Sequence, residues 1–193
     1  MTVTIDDLTD FSAVEDAIAD FVDEASQLPE IEGRTKTSWV GFDFEIQRPY
    51  ATLGIVTQKT VGKPWAVRAN LTEGGGIVKQ TILNHPFEWS VDVTFYTDSY
   101  DEDGAAIRET ARTYAQRVAN RAMLPQVRAI LAEQDIAFGQ MGTIVGGAAI
   151  QEVDQFIQQA TIEINFRGIA QTEITDTDYF TSVDTPTITL SGE

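Results

Sequence analysis

Between Phe87 and Phe95 the chain reads Phe-Glu-Trp-Ser-Val-Asp-Val-Thr-Phe, apolar and polar by turns without a slip. Successive side chains of an extended strand point to opposite faces, so the pattern predicts a strand over 86–97 with one apolar and one polar, acidic face. Thr-Ile-Glu-Ile-Asn-Phe-Arg-Gly-Ile repeats the alternation, with Ile162, Ile164 and Phe166 on one face and Thr161, Glu163, Asn165 and Arg167 on the other. Val40, Phe42, Phe44 and Ile46 alternate with Gly41, Asp43 and Glu45, which predicts a third half-buried strand. Pro49 marks the start of a further β-prone run.

Two stretches keep a helical period instead. Val14, Ile18, Phe21, Val22 and Ala25 predict an amphipathic helix over 12–26 with an acidic outer face, and Ser12 with Glu15 fits a capping box. From Gly104 onward Ile107, Ala111, Tyr114, Val118 and Ala122 form one stripe, and Pro125 marks a break or a new helix start. Val91, Val93 and Phe95 are expected to join Ile162, Ile164 and Phe166 against this stripe as the core. The segment 27–37 reads as a loop, and 139–153, rich in glycine and nearly uncharged, as a flexible loop. Residues 59–84, centred on Gly74, Gly75 and Gly76, predict a long projecting hairpin or loop. The fold class is α+β, a mostly antiparallel sheet with helices packed on one face, a long hairpin and terminal arms. A single domain over 1–193 is expected, with a core at about 11–183 and a C-terminal arm at 184–193.

Thirty acidic residues stand against 13 basic ones, a formal net charge of −17, which argues against general nucleic-acid binding. Four lysines against nine arginines sharpen the bias. An ordinary acidic surface accounts for it, and so does adaptation to molar salt, where screening tames self-repulsion; a melting series in rising KCl separates the two, the second requiring the midpoint to rise. With no cysteine there is no disulfide framework or thiol nucleophile. His85 is the only histidine, which excludes a multi-histidine metal site, and it reads as a turn residue before Pro86.

The glycine-rich stretches fit neither the dinucleotide nor the P-loop spacing, and Asp101, Glu102 and Asp103 lack the alternation of a calcium loop. Asn70-Leu71-Thr72 is a sequon by coincidence. The N-terminus has no basic, apolar leader and no run approaches 18 apolar residues, so the expected product is made in the cytosol and spans no membrane. No catalytic residue, cofactor or metal ligand is expected. The region 104–133 holds five arginines against two glutamates within an acidic chain, and Arg108, Arg112, Arg117 and Arg121 flank its stripe. These arginines read either as a landing place for another copy's acidic surface or as local surface pairs.

The order of features carries more than any one motif. Arg48-Pro49-Tyr50-Ala51-Thr52-Leu53 opens a strand, and a hairpin segment and the aromatic strand FEWSVDVTFYT follow. Then come RETARTYAQRVANRAML, a short step to DIAF, and the closing QQATIEINFRGIAQTEITDTDYFTSV. Over roughly 48–183 this resembles the tail-terminator or neck-terminator proteins of long-tailed viruses, from which the helix at 12–26, the strand at 38–46 and the final TPTITLSGE depart. The resemblance implies a structural virion protein and no enzyme: a small subunit forming a homo-oligomeric, hexameric ring in the head–tail neck, assembled in the host cytoplasm. Such a ring caps the tail tube, ends its polymerisation and joins it to the head–tail connector, with a tail tube protein and a connector protein as partners. DNA passes through it unbound. On that implication Arg108, Arg112, Arg117 and Arg121 serve the subunit interface, Glu88, Asp92 and Glu163 the channel wall, and Gly74, Gly75 and Gly76 the contact with an axial partner. Another tail or connector component, such as a tube or stopper protein, is an alternative, as is a halophilic carboxylate enzyme or binding domain.

Overall fold

The alternation read from Phe87 to Phe95 belongs to a much longer strand. In the computed structural model, which describes residues 3–7, 9–29, 35–37, 48–73, 76–100, 103–152 and 155–176, that strand is β5 (Gly76–Asp98). The other elements are β1 (Val3–Asp7), α1 (Phe11–Ser26), β2 (Thr35–Thr37), β3 (Tyr50–Thr60), β4 (Trp65–Glu73), α2 (Ala111–Arg121), α3 (Pro125–Ala132), β6 (Ile136–Glu152) and β7 (Gln155–Asp176). The strands run in the order β1-β7-β5-β3-β2, with β4 also pairing β5 and β6 also pairing β7. Pairings are antiparallel except for β2 on β3. The expected strand at 38–46, the turn residues Gly74 and Gly75, Asp101 and Glu102, and the tail beyond Asp176 lie outside the described residues.

The chain divides into two compact units. The larger comprises Asp10–Lys63 and Pro86–Ile169. Its core forms where the odd positions of β5 and the even positions of β7 meet the apolar stripes of the helices. Val91, Val93, Phe95, Ile162, Ile164 and Phe166 are all buried, as are Val14, Ile18, Phe21 and Val22 of α1 and Tyr114, Ala115 and Val118 of α2. Aromatic rings set the contacts: Phe21 meets Phe166 edge-on at 5.6 Å and Phe138 at 6.1 Å, while Phe95 stacks on Tyr114 at 6.3 Å. Each such side chain contributes about 1.5–3 kcal/mol by leaving water, before chain entropy is charged. A polar tie adds direction, because the buried Thr97 Oγ1 of β5 accepts the Ala111 N–H at 3.0 Å and so caps the start of α2 from the sheet.

The smaller unit takes Met1–Thr9, Pro64–His85 and Ala170–Glu193. Here β4 and the first part of β5 form an antiparallel hairpin, from Trp65 opposite Asn84 to Glu73 opposite Gly76. β1 pairs with the end of β7, Val3 opposite Asp176. Side-chain bonds from Gln171 to Asn84 at 3.0 Å and from Gln80 to Glu173 at 2.7 Å link β5 with β7 within this unit.

Several expectations need correction. The cap of α1 is Asp10, whose Oδ1 accepts from Ser12 N–H at 2.9 Å and Ala13 N–H at 3.4 Å, so the Ser12–Glu15 box is not used. Starting one residue early puts Phe11 in the first turn, where its ring stacks on Trp89 at 5.6 Å. α2 begins at Ala111 rather than near Gly104, since Thr110 Oγ1 caps Thr113 N–H and the preceding segment forms a turn with a Tyr100–Ala106 bridge. Ile107 and Arg108 therefore stand outside the helix. Pro125 occupies the first turn of a new helix, α3. Thr35–Thr37, read as loop, is the strand β2.

The glycine-rich stretch expected to be a flexible loop is strand β6. Its pairing with β7 slips at three places, between Phe138 and Gln140, Met141 and Ile144, and Gly146 and Ala149. Glycines sit there because the strands approach too closely for a side chain: a Cβ at Gly146 would meet Ala160 Cα at 2.6 Å, and one at Gly139 would meet Asn165 O at 2.9 Å. His85 is no turn residue either, since it and Pro86 lie inside β5. They fall where β5 changes partner, pairing β4 as far as Asn84 and β3 from Phe87. At that gap a missing N–H leaves no ladder bond unmade, and Pro86 O accepts Val61 N–H at 2.8 Å.

A carboxylate at the fully buried Val93, opposite the buried Leu53, would lose its water within the apolar core. Val93→Asp is expected to destabilise the larger unit by at least about 3 kcal/mol, seen as loss of the cooperative thermal transition; a variant that melts within a few degrees of wild type would contradict this core.

Candidate functional site

The strand faces turned away from the helices carry a polar ladder within the larger unit. On β5 it comprises Glu88, Ser90, Asp92, Thr94, Tyr96 and Asp98, and on β7 Thr161, Glu163, Asn165 and Arg167, by the same alternation that buries their neighbours. At one end Glu88 is clamped by two cations, Lys59 at 2.8 Å and Arg167 at 2.9 Å. These partners, Lys59 first and then Arg167, hold the Glu88 carboxyl below its usual range. Lys59 reaches it because the β3–β5 register shifts between Ile55 and Thr57, leaving Val56 as the extra residue. Without that bulge Lys59 would stand opposite Phe87, on the core face.

Ser90 Oγ donates a short hydrogen bond to Glu163 Oε1, and Thr94 and Thr161 bond at 2.9 Å. Asp92 lies between these pairs, opposite Gly54 of β3. It has no hydrogen-bond or ion-pair partner among the described residues. Partial burial, and then the charge of Glu163, push its carboxyl above the usual range. At the far end Tyr50 and Tyr96 stack at 4.9 Å and Arg48 meets Asp98 at 2.8 Å. Arg48, Lys59 and Arg167 thus offset all but one of the charges of Glu88, Asp92, Asp98 and Glu163. The ladder joins Glu88, Asp92 and Glu163 on one face, as their alternation implied, but only Asp92 and Glu163 remain without a cation.

The arginines of the helical region divide as well. Arg117 pairs with Glu109 and lies over the Tyr114 ring at 5.2 Å. Arg117, then the Tyr114 hydroxyl, keeps the Glu109 carboxyl low. Arg121 reaches Glu24 of α1 at 3.2 Å. Arg108 and Arg112 are exposed and make no ion pair among the described residues. Arg112 and Arg117 border a shallow groove with Thr110, Thr113, Gln116 and Asn120. Local pairing therefore accounts for Arg117 and Arg121. Of the glycine triplet, Gly76 opens β5.

Sequence reasoning placed Arg167 on the polar face of its strand but not against Glu88, and it singled out neither Lys59 nor Ser90. Arg167 opposes Glu88 only through the β5–β7 register, and Lys59 only through the bulge. No local signal encodes either.

Because Asp92 titrates above its unfolded value, its ionisation opposes folding: the stability it leaves intact below the ordinary aspartate range is lost as pH rises through its folded value. Asp92→Asn is expected to stabilise the fold near neutral pH by about 0.2–1 kcal/mol, seen as a raised melting point, and the gain should vanish on acidification. Glu88→Gln should do the opposite, lowering the melting point at neutral pH and converging with wild type at low pH. Thermal melts across pH 3–8 check both, and a stabilising Glu88→Gln or a destabilising Asp92→Asn would overturn this electrostatic account.

Compared with known proteins, residues 12–193 match the family model described as phage neck terminator protein. No curated protein matches the chain.

Proposed function

The chain belongs to the phage neck terminator family, and from that premise we propose that it forms a hexameric ring that caps the tail tube, ends its polymerisation and joins the tail to the head connector. The observation that carries this reading is the family match, which runs from the first turn of α1 to the last residue. A structural protein of the virion neck acts through its surfaces, so its mechanism is a matter of which face meets what. No bond is made or broken. The partners are further copies of the chain, the tail tube protein and the connector protein, met during assembly in the host cytoplasm.

A ring built head to tail needs two different complementary patches on each copy, and closure fixes its size. The arginines Arg108, Arg112, Arg117 and Arg121 supply one patch, with Arg108 and Arg112 the two free to leave their own subunit. The polar ladder supplies the channel wall. It is clear of the helices in its own unit, and Asp92 and Glu163 offer unneutralised carboxylates that repel passing phosphates. Glu88 belongs to the same wall, yet with Lys59 and Arg167 upon it the ion triplet acts as a girder rather than a repulsive charge. The segment Gly74, Gly75 and Gly76 supplies the contact with an axial partner. Acidic composition suits a particle assembled in high salt, where the wall charges are screened from one another more than from a phosphate in contact.

The terminating role is tested by tail length. Tails assembled from the virus's other components without this protein are expected to overgrow and stay unjoined to heads, and adding it should restore one length. Tails of normal length that join heads without it would overturn the proposal.

A further inference from the structure

The helices α1 and α2 carry opposite and unbalanced charge: three acids line the exposed row of α1, while Arg112 heads the exposed row of α2 and Arg108 stands just before that helix. α1 contains Glu15, Asp16, Asp20, Asp23 and Glu24 and no basic residue. Asp16, Asp20 and Glu24 are exposed and four residues apart, so they line up along one ridge. Like charges at that spacing destabilise a helix, and acids in its last turn oppose the helix dipole. Glu24 is relieved by Arg121 of the same copy. Asp16 and Asp20 have no ion pair among the described residues.

α2 is the reverse, with Arg112, Arg117 and Arg121 and no acid. Its exposed row is Arg112, Gln116 and Asn120, again four apart, the last two bonded to each other at 3.1 Å. Both rows are therefore ridges of the same pitch, rising about 6 Å per step, and such ridges pack between one another's grooves. The Arg121–Glu24 contact, where α1 and α2 of one copy already touch, shows the same pairing in miniature.

We infer that α1 of one copy docks on α2 of the next, with Asp16 and Asp20 meeting Arg112 and Arg108 across the contact. The inference rests on the ring reading and deepens it by naming the surface that receives the arginines. An acid ridge unfavourable to its own helix is explained if its counter-charge arrives only on assembly. The two patches differ, as a closed head-to-tail ring requires.

The test uses the full chain at about 0.1 M salt, where charges within about 10 Å still feel one another, with assembly followed by analytical ultracentrifugation. Asp16→Asn with Asp20→Asn should raise the melting point of the subunit yet weaken assembly at least tenfold. Arg112→Glu should weaken it similarly, and combining Arg112→Glu with Asp20→Arg should restore it. Loss of assembly with gain in melting point is an outcome that a purely structural role for these acids cannot give. Wild-type rings that tolerate every one of these changes would overturn the helix docking and leave the ring intact. A wild-type chain that forms no ring would overturn both. Variants that form rings normally but fail to join tails would assign the acid ridge to an axial partner and overturn the proposal.

Discussion

The burial of one face of β5 and β7 beneath α1 and α2 is the constraint on which the rest of the larger unit depends. Val91, Val93 and Phe95 leave water together with Ile162, Ile164 and Phe166, under Phe21 and Tyr114. Because side chains alternate, fixing that face fixes the other: Asp92 and Glu163 can point only away from the helices. Thr97 tightens the arrangement by lending its hydroxyl to the first N–H of α2. A slip of one residue in either strand would bury the carboxylates and expose the core, so register and function stand or fall together.

The polar face is built as carefully as the apolar one. A bulge at Val56 turns Lys59 onto it, and antiparallel pairing brings Arg167 to the same carboxylate, Glu88. Cross-strand hydroxyl pairs continue the ladder. The exception is Asp92, raised in pKa by partial burial beside Glu163 and left without a cation. Residues that weaken the isolated fold are reasonable candidates for a role beyond it, and Asp92 on the sheet and Asp16 with Asp20 on α1 share that character. For a member of the neck terminator family, the context beyond the subunit is the neck of the virion, and the ring proposed above is where these acids would find it.

Much of this was legible in the chain because it is periodic. Strict alternation at Phe87–Phe95 and Ile162–Phe166 and the stripe of α1 each follow from a single repeat, and all three are present. Apart from Ile107, which keeps the period of α2 without belonging to the helix, what failed was non-periodic. The glycines of β6 look like loop residues because their reason lies across the ladder, in Asn165 and Ala160, where no side chain fits. Pro86 looks like a turn because the change of strand partner that tolerates it is a long-range fact. The α1 cap moved by two residues because Asp10 takes the Ser12 N–H, and the capping-box pattern does not rank one cap residue against another so near it. In the ladder, alternation put Glu88, Asp92 and Glu163 on the polar faces of their strands but did not show the two cations on Glu88, since pairing needs register and register needs the fold.

Everything functional here turns on which way the two-faced sheet looks in the assembled particle. Electron cryomicroscopy of the head–tail neck, at a resolution that traces individual strands, decides it. The account predicts a ring whose channel is lined by the Asp92, Thr94 and Glu163 face, with α1 and α2 on the outside. A channel lined by the helices, or the polar ladder buried against a neighbouring subunit, would contradict it.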